Sequence, residues 1–147
     1  MKWVTRERPK TDRVACPWLI RRFIDPAAEI LYVPHDQVLS VAEREGARSF
    51  DADGAEFTHR DGKCTFEVLI DSFGLDGDPG LVRLARVVHA ADIAGEVNTD
   101  PVGPGLLAIA ALAIVARLAI NLGLARDIEA QRERLINWIL DHKRAAA

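Results

Sequence analysis

Within nine residues, His59-Arg60-Asp61-Gly62-Lys63-Cys64-Thr65-Phe66-Glu67 gathers an imidazole, a thiol and a carboxylate around one tight turn. Asp61-Gly62 is a strong turn dipeptide, because glycine takes positive φ freely and aspartate hydrogen-bonds its own following backbone. Such a turn brings His59 back beside Cys64. Phe66, Leu69, Ile70 and Phe73 then recur at helical spacing, which places Cys64 or Thr65 at the mouth of a short helix and Glu67 in its first turn. A thiol there is expected to have a lowered pKa, and the thiolate is the form that binds metals or attacks electrophiles. A single free cysteine is also commonly a small buried hydrophobe, so Cys64 needs company to count as a ligand.

That company comes from Val87-Val88-His89-Ala90-Ala91-Asp92-Ile93, where His89 and Asp92 stand three apart and share a helix face. Imidazole and carboxylate are standard ligands for zinc and other first-row metals. The expected metal ligands are therefore His59, Cys64, His89 and Asp92, with His59, Cys64 and His89 converging and Glu67 and Asp92 as fourth ligand or outer support. His35 lies in a loop and His142 on a terminal turn, so neither competes. The expected cofactor is a divalent transition metal; zinc, iron, copper and manganese are not distinguished by a mixed N, S and O donor set. Used catalytically, the same residues give two alternatives. Glu67 acts as general base toward a metal-bound water in a hydrolase, or Cys64 serves a thiol-based reductase.

Charge adds a second theme. The overall balance is −3, too small and of the wrong sign for general nucleic-acid binding. The first 22 residues nevertheless hold seven basic side chains against Glu7 and Asp12. A small oxyanion near Arg8, Arg13 and Arg21 is the expected partner of that end, since guanidinium forks match such oxygens in pairs. On this reading, Arg13→Ala weakens anion binding and leaves folding intact.

The elements that position these groups follow from pattern. At 147 residues, 49% hydrophobic, the chain is expected to form one domain over 1–147. Residues 2 to 5 read as a short strand, and Thr11 or Asp12 as the cap of a helix that Pro17 kinks or restarts. Cys16 falls in that segment, where a core position beside Trp18 competes with a reactive one. Glu29-Ile30-Leu31-Tyr32-Val33 reads as a strand, residues 36 to 45 as an amphipathic helix ended by Gly46, and residues 48 to 58 as two short strands. Asp78 caps a helix with Pro79 in its first turn. Leu106 onward is apolar for 11 residues before Arg117, too short for a membrane span of roughly 20. Residues 104 to 122 are expected to form the central buried helix, and residues 125 to 143 a last amphipathic helix serving the core or a homodimer. The fold class expected is α+β, predominantly helical, with a small sheet packed on the buried central helix. Two cysteines and a charged start without an apolar leader point to the cytoplasm. No glycine-rich phosphate loop, serine nucleophile elbow or internal repeat is present.

The run Arg8-Pro9-Lys10-Thr11-Asp12-Arg13-Val14-Ala15-Cys16-Pro17-Trp18-Leu19-Ile20-Arg21-Arg22-Phe23-Ile24-Asp25-Pro26 resembles the opening signature of the ChrB-type chromate resistance domain. The resemblance continues through His59, Cys64-Thr65-Phe66-Glu67, Asp78-Pro79 and Val87-Val88-His89, from about residue 3 to about residue 110. It implies a bacterial protein connected with chromate resistance. In longer members the domain follows a further N-terminal region and the whole is a chromate-responsive regulator. The function expected here is binding or sensing of a small inorganic species, metal or oxyanion. The competing readings are the enzymes above and a structural dimer module built on the C-terminal helices.

Overall fold

The strand at the start of the chain, β1 (Lys2–Arg6), is the middle of a parallel sheet ordered β2-β1-β3, with β2 (Glu29–Val33) and β3 (Arg48–Ser49) on its flanks. Val4 pairs with Leu31 on one side and Ser49 on the other. A central parallel strand is covered on both faces, and Trp3, Val4 and Thr5 are accordingly buried. Alternation along the strand sends Trp3 and Val4 to opposite sides. Trp3 packs with the helices α1 (Thr11–Leu19), α3 (Thr65–Ser72) and α4 (Pro79–Asp92); Val4 packs with α2 (Val38–Glu45) and the turn after β3. The computed structural model describes residues 1–8 and 10–121, with side chains through residue 112.

Local chemistry accounts for most boundaries. α2 follows a 3-10 turn (His35–Gln37) and stops at Gly46, whose φ of +58° is the left-handed C-terminal cap. Asp61 (φ +53°) and Gly62 (φ +76°) both take positive φ, as a two-residue type I′ hairpin turn requires, and Arg60 bridges Lys63 across it. Asp78 accepts the Gly80 N–H at 2.7 Å and the Leu81 N–H at 3.2 Å, with Pro79 in the first turn. α1 runs through Pro17 and then widens into a π-helical turn (Ile20–Ile24), closed by Asp25 N–H donating to the Ile20 carbonyl at 2.7 Å.

The fold is α+β and mainly helical, as expected, but the central helices are α1, α3 and α4. The apolar stretch forms α5 (Gly103–Asn121). Over its described side chains Gly103 and Ala110 are buried and Leu106 packs on the core, whereas Leu107, Ile109 and Leu112 are exposed. An alanine-rich segment that is apolar on every side carries no period to say which face is inward. Gly103 marks the close approach: a Cβ there would stand 2.6 Å from the Val97 carbonyl oxygen. No helix among the described residues is long and apolar enough to cross a membrane.

Residues Met1–Ala111 form one compact unit, which holds every site residue discussed below. The second unit is Leu112–Ala147. The expected last helix at 125 to 143, with the dimer reading attached to it and His142, lies outside the described residues.

Candidate metal centre

Two helix starts and one helix end meet at the site. The first turn of α1 has free backbone N–H groups, and no side chain of its own segment caps them. Thr11 or Asp12 was the expected cap; instead Asp92, at the end of α4, accepts the Asp12 N–H at 3.2 Å, and the Thr11 hydroxyl donates to the Ala91 carbonyl at 3.3 Å. The Asp12 carboxylate is thereby released toward a different helix. Its Oδ2 accepts the Thr65 N–H, in the first turn of α3, at 2.7 Å. Helix N-termini favour negative charge, which is why these two carboxylates tolerate burial.

Around them lies the first donor set, Asp12, His59 and Asp92, with one ligand atom from each all within 4.8 Å of one another. His59 Nε2 is 3.2 Å from Asp12 Oδ2 and 3.1 Å from Asp92 Oδ2, with Asp51 Oδ1 at 3.8 Å. Asp12 is fully buried, and its Oδ1 has no hydrogen-bond partner among the described residues. The hydrogen bond with Asp12 raises the His59 pKa above the usual imidazole value. Burial, and then the neighbouring Asp12 charge, raises that of Asp92.

The second donor set is Cys64, Glu67 and His89, again within 4.8 Å. Cys64 and Glu67 close a capping box on α3, the thiol accepting the Glu67 N–H while Glu67 Oε2 accepts the Cys64 N–H at 3.0 Å. His89 Nδ1 is 2.6 Å from the same Glu67 oxygen, and its Nε2 is 3.0 Å from Glu96 Oε2. Burial alone would lower the His89 pKa, but the bonds to Glu67 and Glu96 outweigh it and the value is raised. The expected low thiol pKa is corrected: burial, reinforced by the Asp12 charge, pushes Cys64 well up in the ion-free chain.

The four expected ligands therefore divide. Cys64 and His89 come together, joined by Glu67; His59 and Asp92 come together, joined by Asp12. The type I′ turn does return the chain toward Cys64, but the His59 ring is drawn to the buried carboxylates while the Cys64 thiol faces Glu67. Asp12 escaped sequence reasoning because it read as a helix cap, and Asp51 because it fell in the segment 48 to 58, read as two short strands. Glu96 stands seven residues beyond His89, a spacing that is not one of the i, i+3 or i, i+4 neighbours of a helix face.

The expectation for Arg13 is also corrected. Arg13 is buried and committed internally, its Nη1 donating to Asp51 Oδ2 at 2.7 Å and its Nε to the Arg8 carbonyl. Asp51 is further held by Arg6, whose Nε donates to its carbonyl at 2.6 Å. Arg8 and Arg21 are exposed, and Arg21 Nε donates to the Ala28 carbonyl at 3.3 Å. Cys16 is a core residue, fully buried beside Leu19 and Ile20, its pKa raised by burial.

Among known families, the one described as ChrB, C-terminal domain, matches residues 3–132, extending past the stretch to residue 110 on which the resemblance was read. Protein ChrB of Cupriavidus metallidurans is 48% identical over 94 residues, which cover 64% of this chain and 28% of that protein. No solved structure matches the chain.

Proposed function

The chain belongs to the family of ChrB C-terminal domains, and from that premise we propose that it binds a divalent transition-metal ion through Cys64, Glu67 and His89, as the inorganic-ligand domain of a chromate-resistance protein. One observation carries the reading. A thiol, a carboxylate and an imidazole from two different helices lie within 4.8 Å of one another. Ligands each about 2.0 to 2.3 Å from one ion are separated by no more than about 4.6 Å, so only a small adjustment is required.

The surroundings suit the role. With the proton on Nε2, His89 donates a hydrogen bond to Glu96 and leaves Nδ1, the nitrogen facing Glu67, for the ion; Glu96 is then an outer partner that fixes tautomer and ring orientation. Binding displaces the thiol proton, so a high Cys64 pKa in the ion-free chain makes affinity strongly pH-dependent without preventing ligation. The same burial disfavours Cys64 as a free thiolate reductase. Glu67 has one oxygen occupied by the Cys64 N–H and His89, so a general-base role would need its other oxygen. The oxyanion part of the reading falls to Arg8 and Arg21, Arg13 being committed to Asp51. Sensing by a longer protein is a further step of the same proposal, since the matched stretch spans 28% of its ChrB relative.

Metal analysis of protein purified without a histidine tag, followed by zinc titration of the metal-free form, tests it. Cys64→Ser/His89→Gln is expected to bind one zinc equivalent fewer than the wild type. Unchanged zinc binding by that variant would overturn the assignment.

A further inference from the structure

We propose that Asp12, His59 and Asp92 form a second, separate cation site, suited to a divalent first-row ion that favours oxygen ligands, such as Mn2+. The set shares no donor with Cys64, Glu67 and His89, so either site can fail alone.

The argument starts from what is left over once the local hydrogen bonds are assigned. Asp12 Oδ2 serves the Thr65 N–H, and Asp92 Oδ1 serves the Asp12 N–H. Asp12 Oδ1, on a side chain with no solvent exposure, serves nothing among the described residues. A buried carboxylate oxygen without a donor is costly, and such an orphan calls for a missing partner. Meanwhile His59 Nε2 sits 3.2 Å and 3.1 Å from two carboxylates of different helices, although one N–H has a single proton to share. An ion between the three would satisfy both carboxylates at once and take the imidazole lone pair.

Charge points the same way. Asp12, Asp51 and Asp92 crowd together, and the nearby permanent cations are Arg13 and Arg6, both on Asp51. Among the described residues, Asp12 and Asp92 are thus left with helix amides and His59. Two carboxylates and one imidazole form a hard donor set of the kind manganese or ferrous ion accepts, in contrast to the thiolate set next to it. The His59 side chain is 40% exposed, which gives an ion access from solvent and makes the residue safe to replace.

Mn2+ is the probe, because the paramagnetic resonance signal of the free aqueous ion disappears as it binds. Wild-type and Cys64→Ser/His89→Gln proteins, both metal-free, are each expected to take up one Mn2+. Adding His59→Gln to either should weaken binding roughly tenfold or more. Asp92→Asn should do the same, with circular dichroism confirming that the helices persist. Absence of Mn2+ uptake by the folded wild type overturns the site, as does an affinity unaffected by His59→Gln. Mn2+ uptake that is lost in Cys64→Ser/His89→Gln but kept in His59→Gln would also overturn it, by assigning the ion to the thiol set.

Discussion

The backbone N–H of Thr65 donates to Asp12 Oδ2 at 2.7 Å, so a carboxylate in the first turn of α1 caps the first turn of α3. Removing it strips a cap and leaves a buried amide without an acceptor. Asp12→Ala is expected to lower the stability of the metal-free protein by roughly 2 to 4 kcal/mol, from the ordinary costs of a lost cap and an unmet buried donor. Asp12→Asn keeps an acceptor oxygen and should recover much of that. Urea unfolding measures both; equal midpoints for Asp12→Ala and wild type would show that the cap contributes nothing.

Cys64 is both the N-terminal cap of α3 and a proposed ligand, and serine separates the two roles. A hydroxyl caps a helix at least as well as a thiol, so Cys64→Ser should change stability by less than about 1 kcal/mol. Zinc affinity should nevertheless collapse. A large loss of stability together with unchanged zinc binding would return Cys64 to a purely structural part.

Arg13 was expected to be replaceable, and its burial against Asp51 reverses that expectation. Arg13→Ala removes the shorter, fully buried of the two ion pairs on Asp51 and leaves that carboxylate to Arg6 at 3.3 Å; breaking a buried pair typically costs about 3 to 5 kcal/mol. Thermal and urea denaturation should show a severely destabilised or unfolded protein. A variant of wild-type stability would mean that Arg6 alone neutralises Asp51.

The two imidazoles set a pH dependence in the metal-free form. Hydrogen bonding to Asp12 raises His59, and the bonds to Glu67 and Glu96, overcoming burial, raise His89, both above the ordinary 6.5. A raised value means that the folded chain holds the proton more tightly than the unfolded chain. That stabilisation is complete below about pH 6.5 and is lost as pH rises through the folded-state values. His59 is well exposed, so its share is reduced by solvent screening. The urea midpoint should therefore fall between about pH 6 and about pH 9, and His59→Gln/His89→Gln should flatten the slope. A midpoint that climbs over this range contradicts the assignment.

Much of this was legible in the residues, and the exceptions share a cause. The type I′ turn, the Asp78 cap, the Gly46 stop and the strands β1 and β2 rest on neighbours in sequence, and all appear where local chemistry put them. Cys64 at the mouth of α3 and its approach to His89 were also readable, from one turn and one helical period. The partners of Asp12 were not, because they lie 53 and 80 residues away. The sign of the Cys64 shift was missed for a related reason. A helix N-terminus lowers a thiol pKa, but here full burial and a carboxylate from another helix outweigh it, and neither is visible in the local sequence.

The span of 80 residues between Asp12 and Asp92 bears on how the chain is made. At about 5 to 20 residues per second, a ribosome adds Asp12 some 4 to 16 s before Asp92. Throughout that interval α1 lacks the carboxylate that caps it. The nascent helix is expected to remain open to protease until α4 has emerged, then to become resistant in one step. Limited proteolysis of ribosome-stalled chains of increasing length would register the change, and early resistance, before Asp92 is exposed, would show that α1 is held by something else.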